Sequence, residues 1–353
     1  MVVSHCIRDL IYSQSISRSL LFIPFFYGRF LFLKGAFMSL KIVYPSALEY
    51  WLEDRGIPLG VNLFPQDAVY LPGRKGIKQQ VKELSFRKPV HIAVGETMNR
   101  KWSEEIVWHA LQRKLPPNCF LQAADGVFIS SPEFCFLQAA AELPIHQLVQ
   151  LANNLCAIYL LDPYEDYGQR RRDPVTSVQE IRKFLQGLKR YWNLPKAKLA
   201  IRYALDHSNS PMETNLATVA LLPWRYGGYN LKAPKLNLDV NLSETGAEHL
   251  GRDTVCCDMV WVDEKVVLEY DSNLAHLSPD QHAKDKKRIT ALSLSGYQVI
   301  SVTANEVRSF RTVEELFLRV RKALGMKTNP ERVETNFEQR YDVVHDIMFP
   351  KSR

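Results

Sequence analysis

The chain of 353 residues lacks the short motifs of several large enzyme classes. It contains no Walker phosphate loop, no GxGxxG loop, no HExxH pair and no GxSxG turn, so nucleotide-driven and serine-hydrolase functions have no support. It has only six cysteines, none of them in a CxxC pair, which argues against a structural zinc site. We therefore expect reduced, buried thiols in a cytosolic protein, and we assign Cys256 and Cys257 to the core.

The chain also lacks an uninterrupted apolar run of membrane-spanning length. The strongest candidate, residues 20–33, is broken by Pro24 and Arg29, and a span needs about 20 mostly apolar residues. Three interpretations stay open for it: a membrane tether, the core of a signal peptide, or an upstream extension before a true start at Met38. We favour the extension, and so predict a cytoplasmic protein without stable membrane association.

Neither charge nor hydrophobicity is scarce. Hydrophobic residues make up 46% of the chain and charged residues 24%, which is ordinary for a globular protein that buries a core. The length favours two domains. The formal net charge of +7 makes an acidic partner plausible, and nucleic acid is the commonest one, although net charge informs association and not fold.

The alternation of apolar runs with turn and linker residues predicts an α/β (α+β) protein in four parts. In order, these are an apolar extension over 1–37, a mixed α/β and mostly helical domain over 38–200, a second domain over 208–326 and a C-terminal tail over 327–353.

In the N-terminal part, KPVHIAVG predicts a strand, and the run from Asp125 to Leu161 predicts a strand followed by two helices. The polar stretch YEDYGQRRRDPVTS predicts a linker. The following VQEIRKFLQGLKRYW predicts a basic amphipathic helix, either a core helix with a solvated face or a DNA-contacting one.

The pattern changes at Ser208. SPMETNLATVALLP predicts a helix capped by Ser208 or Ser210, and LNLDVNL, TVCCDMVWV and KVVLEYD predict three strands. PDQHAKDKKRITALSLS predicts a helix that stops at Gly296, followed by the strand YQVISVT. The order is helix, three strands, helix, strand.

Acidic residues mark the ends of two of these strands. Glu269 and Asp271 lie two apart and share one face of a strand, and a tight turn near residues 263–264 would bring Asp258 across from Glu269. Converging carboxylates repel one another unless a cation lies between them, and oxygen ligands suit Mg²⁺ or Mn²⁺. Acidic residues near strand ends are also common on solvated faces, so spacing alone leaves both interpretations open.

The order of these residues resembles the PD-(D/E)XK nuclease superfamily, and within it the domains related to the very-short-patch repair endonuclease. In those domains a strand ending in E-x-D leads to a histidine, a helix with D-x-x-R and then G-[YW]-x-V-I. This chain has EYDSNLAH, DKKR and GYQVISVT in that order. The likeness runs from Ser208 to Glu306 and implies a restriction-endonuclease-like αβββαβ core.

The resemblance implies a role for each matching residue. Asp258 and Glu269 would be metal ligands for Mg²⁺ or Mn²⁺, joined by the carbonyl of Tyr270, and Glu213 would contact the metal directly or through water. The implied catalytic set is Glu213, Asp258, Glu269, Asp271 and His276, and the implied DNA-contacting set is Lys284, Lys287 and Arg288.

One position departs from the superfamily pattern, because Asp271 stands where a lysine is usual. The related group also tends to carry an acid there, so catalysis remains compatible. What orients the attacking water stays open among Lys284, Lys287, Arg288 and His276. Taken alone, His276 is more often a packed or surface residue, and Arg288 could simply pair with Asp285 along the helix.

The N-terminal part carries a fainter likeness. GVFISSPEFCFLQAAAEL, followed by a helical segment and a nuclease-like domain, is similar to AbiEi-like abortive-infection proteins. That likeness implies a bacterial protein of defence or toxin–antitoxin biology. The expected function is a metal-dependent DNA endonuclease or nickase, with RNA left open as a substrate. The alternative is an inactive nuclease fold that serves as a DNA-binding or regulatory, antitoxin-like module.

Overall fold

A computed structural model describes residues 40–53, 81, 86–94, 103–110, 115, 118–124, 127–162, 165, 168–271 and 279–350. Helices and three sheets, two of them mixed and one antiparallel, occupy these residues, which confirms the α/β class. The chain divides after Cys135 into two compact units, and Trp51–Glu53 belongs with the second. The sequence placed the main boundary between 200 and 208 instead. The division differs because the helix that precedes residue 156 packs against the helix that follows Ser210.

The first unit contains a five-stranded sheet in the order β3-β2-β1-β5-β4. β1 runs parallel to β5 and antiparallel to β2, so the sheet is mixed. Val90, Ile92 and Val94 are almost fully buried, as expected if KPVHIAVG forms an apolar strand of this sheet. Its elements are β1 (Leu40–Ile42), α1 (Ser46–Leu52), β2 (Val90–Val94), β3 (Ile106–Ala110), β4 (Phe120–Ala124), β5 (Val127–Ser130) and the start of α2 (Pro132–Ala139).

The second unit begins with four helices and a small two-stranded sheet. α3 packs against α6 through polar pairs as well as apolar contacts: Gln150 donates to Asn215 at 2.7 Å and Asn153 donates to Thr218 at 2.9 Å. These buried amides are therefore satisfied. The elements are α3 (Ile145–Leu155), β6 (Tyr159–Leu161), β7 (Gln169–Arg171), α4 (Val178–Gln186), α5 (Leu194–Ala200) and α6 (Pro211–Leu221).

The second unit continues with a four-stranded sheet in the order β11-β10-β9-β8. β8, β9 and β10 are antiparallel neighbours, whereas β10 and β11 are parallel. A core of Val240, Val255, Cys257, Val260, Val267 and Leu292 joins the sheet to α8. The elements are β8 (Lys235–Asn241), α7 (Glu244–Leu250), β9 (Thr254–Trp261), β10 (Val266–Asp271), α8 (Pro279–Leu294), β11 (Gln298–Thr303), α9 (Phe310–Ala323), α10 (Pro330–Thr335) and α11 (Phe337–Met348).

Local signals explain where the two helices nearest the acidic residues begin and end. Ser210 caps α6 by accepting from the Glu213 amide, and Pro211 occupies the first turn, where its missing N–H costs nothing. α8 ends before Gly296, whose φ of +85° suits glycine. Both helix ends agree with the sequence-based prediction.

Several predicted elements were wrong in detail. The predicted second helix of the run ending at Leu161 stops at Leu155, and β6 follows it. Part of the predicted polar linker forms β7, which pairs with β6 in a ladder from Tyr159–Arg171 to Leu161–Gln169. The segment 327–353, predicted as a tail, contains α10 and α11, because α11 buries Val343, Val344 and Ile347 against neighbouring helices.

The core assignment of the adjacent cysteines was half wrong. Cys257 is fully buried, whereas Cys256 is exposed, because successive side chains of a strand point to opposite faces. The apolar run at residues 20–33 lies outside the described residues. Within the part of the chain that the structure describes, no helix is long and apolar enough to cross a membrane.

Candidate active site

Two neighbouring strands bring together the acidic residues that the sequence singled out. β9 and β10 pair as far as Leu268 opposite Met259, so Glu269 and Asp258 are the next residues of the two strands, and the charge of Asp258 acts on Glu269. The Tyr270 amide donates to Asp258 Oδ2 at 2.8 Å instead of continuing the strand ladder. The β9–β10 hairpin therefore juxtaposes these two carboxylates.

The third carboxylate comes from a helix. Glu213, in the first turn of α6, is only 6% exposed. Its carboxylate accepts hydrogen bonds from the Asn209 amide at 2.8 Å, the Ser210 hydroxyl at 3.0 Å and Asn237 Nδ2 at 2.6 Å. Asn237 lies on β8, and the β8–β9 register places it opposite Asp258. Glu213 is thereby fixed at the sheet near Asp258, whose charge acts on it.

Burial and mutual repulsion raise the proton affinity of this cluster. Burial, reinforced by the charge of Asp258, raises the pKa of Glu213 to about 7 and that of Glu269 to about 7. Burial also raises the pKa of Asp258, against the hydrogen bond from the Tyr270 amide and the charge of Arg288, which lower it. Three desolvated acids at one place are costly unless positive charge accompanies them.

Part of that positive charge comes from α8. Arg288 Nη2 donates to Glu269 Oε1 at 2.8 Å, and it also donates to the backbone carbonyl of Cys256. The sequence offered Arg288 as a DNA contact or as the helical partner of Asp285. The structure pairs its guanidinium with Glu269 and not with Asp285, a long-range pairing that helix spacing does not reveal, and its contact with DNA stays a prediction.

The remaining predicted residues lie around the cluster or outside the described chain. Asp271 ends β10, opposite Thr303, and its charge contributes to the raised pKa of Asp258. Lys284 and Lys287 are exposed on α8, and their contact with DNA stays a prediction. His276 lies in the 272–278 segment, outside the described residues.

The cluster suits a hard divalent cation through its donor chemistry. Among the described residues, no three His, Cys, Asp or Glu side chains form a preformed metal-binding group. Mg²⁺, however, is usually held by one or two carboxylates and keeps several waters. Asp258 and Glu269 match that smaller donor set, since both are buried oxygen donors whose repulsion a cation relieves.

Sequence reasoning missed Asn237. This residue adopts a left-handed backbone conformation within a strand, with φ of +48°, and its amide donates to both the His207 carbonyl and Glu213. A non-glycine residue in that region stores about 1–3 kcal/mol of strain. An asparagine in LNLDVNL was the only available signal, and it fits an ordinary strand equally well.

Comparison with known proteins adds no relative to this picture. The chain matches no protein-family model, no curated protein and no solved structure.

Proposed function

We propose that the second unit is a divalent-metal-dependent DNA endonuclease or nickase, and that the protein acts in bacterial defence or toxin–antitoxin biology. The observation that carries the proposal is the convergence of Glu213, Asp258 and Glu269 from a helix and two strands. Two of these buried acids have pKa values raised to about 7. Groups perturbed in this way by burial and like charge mark functional sites.

In the proposed site, Asp258, Glu269 and the Tyr270 carbonyl would hold the cation. A bound Mg²⁺ supplies charge stabilisation for the phosphate under attack and acidifies water. Glu213, whose pKa is raised first by burial, would accept a proton from the attacking water. The exposed Lys284 and Lys287 contact the phosphate backbone, which positions DNA without reading its sequence.

Plasmid nicking tests this proposal. Purified protein with Mg²⁺ or Mn²⁺ should convert supercoiled plasmid to the open-circular form, and Glu269→Ala should abolish the conversion. Glu264→Ala is the matched control, since it removes a carboxylate from the opposite end of the same hairpin, where its partner is Lys232. Nicking that persists in Glu269→Ala would assign the activity to a contaminant.

A second candidate, an inactive nuclease fold used as a DNA-binding or regulatory module, is favoured by one contact. Arg288 already compensates Glu269 at 2.8 Å, so a protein without metal has an internal cation in place. Calorimetry with Mn²⁺ separates the two candidates. An active site should lose Mn²⁺ binding in Asp258→Ala, whereas an inactive module should show the same weak heat in both proteins.

A further inference from the structure

A second feature of the same unit carries most of the chain's excess charge. Residues 178–203 contain seven lysines and arginines but only one acidic residue, Glu180, which gives +6 of the total +7. Glu180 is turned back onto the start of α4, where its carboxylate accepts from the Thr176 and Ser177 hydroxyls. The basic side chains therefore lack a carboxylate partner on their own segment.

An exposed indole lies at the centre of this segment. Trp192 is 75% exposed, the largest fraction among the exposed large hydrophobic residues of the described chain. It occupies the turn between α4 and α5, next to Asn193, whose φ of +60° is left-handed. The Leu194 amide donates to the Tyr191 carbonyl at 3.2 Å and closes the turn. Trp192 is thus held outward by a hydrogen-bonded turn.

Four exposed cations precede the indole in the sequence. They are Arg182 and Lys183 on α4 and Lys189 and Arg190 in the turn, and together with Trp192 they define the Trp192 surface. Among the described residues, none of these four forms an ion pair with a carboxylate. Arg182 is oriented by a 3.1 Å hydrogen bond from its Nη2 to the Ile201 carbonyl.

We propose that the Trp192 surface binds an unpaired stretch of DNA. Unmatched cations attract phosphates, and this attraction alone would serve a duplex equally well. An indole that presents its face to solvent adds a stacking platform, which only an unpaired base can use, since the faces of paired bases are already stacked. The choice of DNA rests on the proposed endonuclease function.

A short segment of the chain connects the Trp192 surface to the acidic cluster. Asp206 Oδ1 accepts from the Val178 amide at 2.8 Å, which docks the segment before α6 onto the start of α4. Three residues further on, the Asn209 amide bonds to Glu213 at 2.8 Å. One short segment therefore contacts both the helix that carries part of the surface and the cluster's helical carboxylate.

Binding of a fluorescently labelled oligothymidylate to the full-length protein in EDTA tests the inference. Trp192→Ala should weaken binding about 5- to 100-fold, and Trp192→Phe should restore most of it, because a phenyl ring still stacks. A duplex of equal length should bind more weakly and show no dependence on Trp192. Equal affinity of the wild type and Trp192→Ala, or of single strand and duplex, would overturn the inference.

The contribution of the basic side chains to DNA binding is measured separately, from the salt dependence of the binding constant. Lys189→Glu/Arg190→Glu should reduce the slope of log K against log salt by about 1.4, since each single-strand phosphate contact contributes about 0.7. Lys322→Glu/Lys327→Glu, exposed cations in and beyond α9, makes the same charge change and should leave the slope unaltered. Equal losses in both double variants would show a general charge effect and refute the surface.

Further probes separate this inference from the proposed nuclease. Because EDTA removes divalent cations, DNA binding in this assay does not depend on cleavage, so nicking can fail while the Trp192 surface still binds. An oligouridylate bound more tightly than oligothymidylate would refute the assignment to DNA. Binding of anionic phospholipid vesicles with the same Trp192 dependence, in the absence of oligonucleotide binding, would refute a nucleic-acid surface altogether.

Discussion

Replacing Glu269 with glutamine should make the protein more stable at neutral and alkaline pH. Burial raises the pKa of Glu269 from 4.5 to about 7, so the folded chain holds a proton between these pH values that the unfolded chain releases. Stability contributed by this group is therefore full below pH 4.5 and is lost as pH rises towards 7. At 1.36 kcal/mol per pKa unit the loss is roughly 3 kcal/mol.

Glutamine has no proton to lose, so Glu269→Gln should match the wild type near pH 4.5 and exceed it by about 3 kcal/mol above pH 7. In the variant the amide oxygen can still accept a hydrogen bond from Arg288. The nearby charge of Asp258 continues to favour the charged guanidinium. Urea unfolding in EDTA, followed by circular dichroism from pH 4.5 to 8.5, measures the difference. A variant that is less stable than the wild type at pH 8 would show that the ion pair outweighs burial and would refute the reasoning.

A matched control and a metal titration sharpen this test. Glu264→Gln should show no alkaline gain, because the hydrogen bond from Lys232 lowers the pKa of Glu264, so its ionised form favours folding. If Asp258 and Glu269 hold Mn²⁺, the metal should stabilise the wild type by about 2.7 kcal/mol at a hundred times its Kd and close most of the gap to Glu269→Gln.

Two further predictions concern the helices packed around the site. Arg340 is fully buried and bonds Glu314 at 2.6 and 3.0 Å, so Arg340→Met should cost about 3 kcal/mol in urea unfolding, with partial recovery in Arg340→Met/Glu314→Gln. The hydrogen bond from His146 lowers the pKa of Asp346, so its contribution is present above the unfolded pKa and is lost in acid. Because Asp346 is 42% exposed and screened, Asp346→Asn should cost less than about 1 kcal/mol at pH 7, and this cost should shrink progressively as the pH falls below 3.8, as measured by thermal unfolding.

The sequence predicted best those elements whose signals are local. Ser210 and Pro211 predict the start of α6, and apolar runs between turns predict β9 and β10. α7 was missed because its seven residues carry little apolar periodicity. At Gly246 it passes so close to α8 that an added Cβ would lie 2.7 Å from the Ala291 backbone oxygen. Such a fit depends on tertiary structure.

The residues of the candidate site also fall into two groups, those predicted from local sequence and those placed by tertiary contacts. A strand alternation and one tight turn were enough to predict that Asp258 and Glu269 meet, because both lie in a hairpin whose register the turn fixes. The contribution of Arg288 was hidden, since its partner is 19 residues away on another element. Asn237 was hidden for the same reason, 24 residues from Glu213.

The costs concentrated at this cluster favour a functional origin over a structural one. Ionisation of the buried Glu213 and Glu269 destabilises the folded protein. Asn237, which donates to Glu213, adopts a strained left-handed conformation. Apolar side chains of similar size would stabilise the same positions better, as they do for buried ion pairs elsewhere. Proteins tolerate such local penalties mainly where a site uses them. Arg288 compensates only one of the three acids directly, which leaves a surplus of negative charge suited to a divalent cation.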